Sequence, residues 1–273
     1  MNLRIGKFSI ELDRPRVMGI VNVTPDSFSD GGKFLVRNDA IAHARHLIED
    51  GADILDIGGE STRPGAAAIS LQEELDRVLP VLEALVHDGV PISIDTQKTE
   101  VMAAAITAGA SMINDVNALQ ALGALHLCAG SSVAVCLMHK QGLPANMQQA
   151  PAYVDVVSEV TVFLCARGNA CLDAGFARER IVIDPGFGFG KTVEHNFRLL
   201  RELNSLAALG YPVLAGFSRK ASLGIVTGRG PDDRLAASIA TAVLCAQNGA
   251  TILRVHDVRE TVDAIKVLLA ARE

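Results

Sequence analysis

The chain has 273 residues, 49 % of them apolar and 21 % charged, with Lys and Arg totalling 25 against 31 for Asp and Glu. That is too apolar for a disordered chain, and a net charge of −6 without any Lys/Arg run argues against a nucleic-acid or anionic-membrane partner. No apolar run approaches the roughly 18 residues of a membrane span, and the first residues, MNLRIGKFSIELDRP, break their apolar positions with charges, so no leader is expected. The five cysteines are odd in number and form no CxxC pair, which reads as small buried hydrophobes in a reducing, cytoplasmic compartment.

In chain order, LRIGKFSIEL alternates weakly and reads as an N-terminal hairpin. Eight short apolar runs follow as strand candidates: VMGIVNV (17–23), DILDIG (53–58), PISID (91–95), SMIND (111–115), VAVCLM (133–138), IVID (181–184), PVLAG (212–216) and TILRV (251–255). Unbroken apolar runs of this length suit strands covered on both faces. Helical periodicity fills the gaps, with Leu71, Leu75, Val78, Leu82 and Leu85 on one stripe and Val262, Ile265, Leu268 and Leu269 on another. Ser70/Glu73 and Asp257/Glu260 have the spacing of capping boxes, and Pro231 sits like a first-turn proline. Eight strand–helix units, roughly 34 residues each, match the βα repeat and predict an eight-stranded (β/α) TIM barrel as a single domain over 1–273. A doubly wound open sheet is the alternative.

Active sites of this barrel lie at the C-terminal ends of the strands. Those ends carry Asn22, Asp56, Asp95, Asn114 with Asp115, His139, Asp184, Ser218-Arg219-Lys220, and Arg254 with His256, which reads as an enzyme. Asp95, Asn114 and Asp184 end apolar runs where a lone polar group is costly unless satisfied. Each alone could simply cap a turn; together they suit a flat heterocycle with several N–H donors, guanine-like or pterin. Asp56 and Asp115 read instead as barrel-layer or loop partners. Arg63, Lys220, Arg254 and His256 gather at the mouths of strands two, seven and eight, and predict an anionic, phosphorylated substrate. GFGFGKT (186–192) lacks the spacing of a phosphate-binding Walker loop and reads as a flexible loop that lets a ring approach the backbone. Nothing has zinc-ligand spacing; Asn22 either caps its turn or offers an amide oxygen to Mg²⁺. The long loops TPDSFSDGGKFLVR (24–37) and GESTRPGAAAIS (59–70) read as lids or binding loops.

GIVNVTPDSFSDGG (19–32), DIGGESTRPGA (56–66), IDT (94–96), INDV (113–116), IDPGFGFGKT (183–192), SRK (218–220) and RVHDV (254–258) together resemble the bacterial dihydropteroate synthases of the pterin-binding family, from about residue 17 to the last helix. The resemblance implies condensation of a dihydropterin methyl diphosphate with 4-aminobenzoate in folate synthesis, with Mg²⁺ as cofactor, a homodimer, and sulfonamides as competitors. It assigns Asp95, Asn114, Asp184 and Lys220 to the pterin, and Thr62, Arg63, Arg254 and His256 to the diphosphate. Phe28, Pro64, Phe189, Lys220 and Ser222 fall to the aminobenzoate pocket, Asn22 to the metal, and Asp30 to loop closure over the reaction centre, with Lys220 and Asp184 beside it. One departure stands out: Ala221 occupies the place of the family's usual Ser, with Ser222 next to it. Three rivals are a methyltetrahydrofolate methyltransferase, a Schiff-base aldolase using Lys220, and a non-catalytic pterin-binding paralogue. The first has no need of the four basic groups, and the second sits badly with the pterin motifs.

Overall fold

The computed structural model describes residues 1–24, 33–61, 68–142, 147 and 149–272. The hairpin β1 (Asn2–Ile5) and β2 (Phe8–Glu11) is followed by β3 (Arg16–Asn22), β4 (Ile54–Gly58), β5 (Ile92–Asp95), β6 (Met112–Asp115), β7 (Ala134–Met138), β8 (Ile181–Asp184), β9 (Leu214–Ala215) and β10 (Ile252–Val255). Each barrel strand feeds a helical segment: α1 (Lys33–Glu49), α2 (Leu71–Leu85), α3 (Thr99–Thr107), α4 (Ala124–Ala129), α5 (Val156–Asp173), α6 (Val193–Arg201) with α7 (Leu203–Ala207), α8 (Ala221–Thr227) with α9 (Leu235–Gln247), and α10 (Val258–Ala270). The parallel strands run β8-β7-β6-β5-β4-β3-β10-β9. A parallel bridge between Ile183 and Val213, with the Ile183 N–H donating to the Pro212 carbonyl at 3.0 Å, joins the two ends. The sheet therefore closes as a barrel, not as the open alternative.

Strand parity divides the apolar runs between two cores. Val17, Val21, Leu55, Ile57, Ile94, Ile113, Val135, Leu137 and Ile183 point outward under the helices. Met18, Ile54, Met112, Ala134, Cys136, Val182, Leu214 and Ile252 point inward and meet Leu3 and Ile5 of the hairpin, which plugs the barrel floor. Two residues further along the same inward rows the side chains turn polar: Ile54 gives way to Asp56, Met112 to Asn114, Val182 to Asp184 and Ile252 to Arg254. Period-two alternation thus carries an apolar floor into a polar mouth.

Several local expectations are refined. The α2 stripe begins at Glu74, fully buried and paired with Lys98, while Leu71 is exposed. Ser70 caps α2 by accepting from the Glu73 N–H, but Asp257 caps nothing, because its carboxylate is drawn to Arg219 by two hydrogen bonds. Pro231 opens a 3₁₀ turn before α9, and α1 starts at Lys33, inside the stretch read as the first loop. All five cysteines are unpaired, and only Cys165 is not fully buried. Among the described residues no helix is long and apolar enough to cross a membrane.

The hairpin plug makes a prediction. Leu3→Ala, which empties a fully buried position on the barrel floor, should cost about 2–5 kcal/mol, read as a lower urea midpoint with unchanged m-value.

Candidate functional site

The polar ends of the inward rows converge on a small cavity, open to solvent, at the C-terminal mouth. Asp95, Asn114, Asp184, Lys220 and Arg254 line it together with Phe187, Phe189, Val116 and Met138. Every described member of the expected pterin set is therefore brought together. Arg254 organises the group: its Nε donates to Asp56 Oδ2 at 2.6 Å and its Nη2 to Asp95 Oδ2 at 2.8 Å. Asn114 Nδ2 also donates to Asp56 Oδ2, at 3.1 Å. Two acids flanking one guanidinium hold it firmly charged. Burial pushes Asp95 up, to about 7, against the pull of Arg254. Burial likewise raises Asp184 to about 6, opposed by the Gly186 N–H that donates to it at 2.7 Å and by Lys220 and Arg254.

The Gly-rich run after β8 is not a loose loop. The Lys191 amine, 2 % exposed, donates to the carbonyls of Gly186 at 3.0 Å, Phe189 at 3.1 Å and His139 at 3.3 Å, and meets His139 Nδ1 at 3.0 Å. Burial lowers this lysine to about 7, and burial beside it holds His139 neutral, lowered to about 3. A Cβ on Gly186 would stand 1.9 Å from the His139 carbonyl oxygen, and one on Gly190 2.1 Å from that of Gln141, both at positive φ. The glycines therefore serve a close approach of the loops after β7 and β8. The result is a fixed wall that presents Phe189, with the Lys220 amine 4.2 Å from its ring centroid. Lys191 was legible only as a lysine directly after glycines; its inward course depends on the β7 loop, far away in sequence.

Lys220 follows Arg219, a non-glycine residue in the left-handed region at φ 56°. The Arg219 N–H donates to Ser238 Oγ at 3.0 Å, and the Arg219 carbonyl accepts from Arg234 at 3.1 Å. With the Arg219–Asp257 pair, these bonds set the loop that delivers Lys220 beside the one that carries His256. His256 departs from its expected role as a charge: burial first, then Arg254 and Arg219, lower it to about 3. Its Nδ1 lies 3.0 Å from Ser218 Oγ, so the ring offers an N–H rather than a cation.

Ser222, expected in the aminobenzoate pocket, is buried with its Oγ accepting from Asn196 Nδ2 at 3.1 Å, and it is not among the cavity-lining residues. Asn22 ends β3, half-buried. Asp115 accepts the N–H groups of Asn117 and Leu119 at 2.7 and 2.8 Å, the loop role expected of it. Phe28, Asp30, Thr62, Arg63 and Pro64 lie outside the described residues.

A family profile, pterin binding enzyme, matches residues 18–256. The chain belongs to the dihydropteroate synthase family of pterin-binding enzymes. Dihydropteroate synthase of Escherichia coli strain K12 is 49 % identical over 97 % of this chain and 95 % of its own. The solved Xanthomonas albilineans dihydropteroate synthase with 4-aminobenzoic acid superposes with a TM-score of 0.94 at 55 % identity, covering 99 % of this chain and 98 % of that one. A structure from the same organism in complex with 7,8-dihydropteroate gives 0.89 at 49 % identity, with the same coverage.

Two predictions follow from this geometry. An ionised Asp184 is the acceptor a ring N–H needs, and the group loses its charge as pH falls through about 6. Affinity for a dihydropterin probe should therefore weaken below about pH 6, approaching tenfold per unit, and Asp184→Asn should bind weakly with a flatter profile in calorimetric titrations. Lys191→Met should loosen the Phe189 wall, raising KM for the aromatic amine about tenfold with a smaller change in kcat.

Proposed function

We propose that this chain condenses (7,8-dihydropterin-6-yl)methyl diphosphate with 4-aminobenzoate, giving 7,8-dihydropteroate and diphosphate in folate synthesis. The observation that carries the reading is the meeting of three acceptor side chains, Asp95, Asn114 and Asp184, with Lys220 and Arg254 in one cavity of a chain from this family. Three acceptors suit the N–H-rich edge of a pterin. Arg254, together with Thr62, Arg63 and the N–H of His256, is assigned to the diphosphate. Phe189 and Lys220 are assigned to one wall of the aminobenzoate pocket, which Phe28 and Pro64 complete.

In the proposed dissociative path the methylene C–O bond breaks and its electron pair leaves with the diphosphate. The cation left on the CH₂ group is conjugated with the pterin ring, and the ionised Asp184 at the ring's N–H edge stabilises it. The neutral arylamine then forms the C–N bond, and its surplus proton passes to the diphosphate oxygens. Asp30 and its loop are assigned to closure, which keeps water from intercepting the cation.

Asn22 fits a Mg²⁺ site: a single neutral oxygen suits a hard cation that keeps water and phosphate oxygens as its other ligands. Among the described residues no group of three or more His, Cys, Asp or Glu side chains is placed to hold a metal. When bound, Mg²⁺ supplies charge neutralisation on the leaving diphosphate. The proposal extends to a cytoplasmic homodimer, carried by the resemblance of the motifs.

The test incubates the protein with both substrates and measures diphosphate and dihydropteroate. Product should form only with aminobenzoate and Mg²⁺ present, whereas pterin binding without product would favour a methyltransferase or a non-catalytic paralogue. Asp184→Ala and Arg254→Ala should each lower kcat/KM by roughly thirtyfold or more, the loss of a charge-assisted contact of about 2 kcal/mol. Full activity in either variant would overturn the dissociative path.

A further inference from the structure

We propose that Asp56 is a positioning residue that decides which face of Asn114 the ring meets, and thereby sets the pocket's preference for an edge rich in N–H donors. The inference rests on the pterin reading of the cavity.

Asp56 is fully buried on β4 and does not line the cavity, whereas Asn114 does. Its Oδ2 accepts Asn114 Nδ2 at 3.1 Å and Arg254 Nε at 2.6 Å. A primary amide has a donor end and an acceptor end, and an ionised carboxylate only accepts. Beside Asp56 the donor end of Asn114 must turn inward, which leaves its Oδ1 for the ligand. With Asp95 and Asp184 the mouth then offers three acceptors. Were the amide reversed, a donor would stand among them and match a ring carrying an oxygen at that place. Arg254 Nε donates to the same Oδ2 that accepts from Asn114, so the fork that reaches toward one substrate group also holds the acceptor that fixes the polarity of the contact with another.

The second oxygen, Oδ1, is buried without a partner among the described residues, as is the hydroxyl of Ser93, its register neighbour on β5. An Asn at position 56 could place its NH₂ there, beside the Ser93 hydroxyl, and keep its oxygen for Asn114 and Arg254. It should preserve the arrangement that a Val would abolish.

The test compares dissociation constants for two probes: 2-amino-4-oxopteridine, and 2,4-dioxopteridine, which replaces the amino donor by an acceptor oxygen. Wild type should prefer the first by about tenfold or more. Asp56→Val should erase most of that preference, Asp56→Asn should retain it, and Asp56→Val combined with Asn114→Ala should discriminate no worse than Asn114→Ala alone. An independent arm needs only the wild-type chain: the Asn114 side-chain amide protons, identified by NMR from their loss in Asn114→Asp, should exchange slowly with solvent before and after probe binding. If wild type binds neither probe, the pterin reading itself fails. If wild type prefers the first probe and folded Asp56→Val keeps that preference, the positioning role fails and the pterin reading stands. Rapid exchange of the Asn114 amide would also overturn it, even if Asp56→Val does not fold.

Discussion

The mouth of this barrel depends on one half-buried guanidinium. Arg254 enters a layer that holds Asp56 and Asp95, with Asp184 also in the cavity. Desolvation pushes the Asp95 and Asp184 carboxyls up. The guanidinium opposes that rise at Asp95, and together with Lys220 and Lys191 it opposes it at Asp184. Pairing of this kind contributes little net stability against an apolar core of the same shape, yet removing one member strands its partners. The layer is arranged for binding at some expense to stability.

That layer can be polar because the one beneath it is not. The hairpin closes the barrel floor with Leu3 and Ile5, so the polar ring rests on packed Met, Val and Ile side chains rather than on water. The low dielectric strengthens contacts to a ligand as well as the interactions among the lining charges. The side wall is equally fixed. Lys191 gathers carbonyls from two loops, and its own burial is tolerable only because each of those oxygens accepts from it. Phe189 is held in place by main-chain geometry, where a mobile loop would have to be ordered on each binding event at an entropic cost.

Much of this was legible in the linear chain. Eight apolar runs separated by helix-periodic segments imply a parallel sheet, and its closure was the simplest count. The positions of Asp95, Asn114, Asp184 and Arg254 at strand ends follow from the barrel's polarity alone, since parity sends every second residue inward and the C-terminal end carries the site. The resemblance of the motifs named the family before any coordinate did. Such features are local or periodic, so one sequence can display them.

Other features were decided only when distant segments met. Asp257 has the spacing of a helix cap, yet Arg219, 38 residues earlier, captures it. His256 was expected to bring charge, but the Arg and burial around it keep the ring neutral. The Gly-rich run looked loose until Lys191 and the β7 loop closed on it, and Asp56, read as a barrel-layer or loop partner, found its particular partners only when Arg254, 198 residues away, and Asn114 shared one of its oxygens. Composition and periodicity determine which residues lie inside and at which end of the barrel. The charge of a buried group and the direction of an amide depend on through-space neighbours, which only the closed tertiary structure supplies.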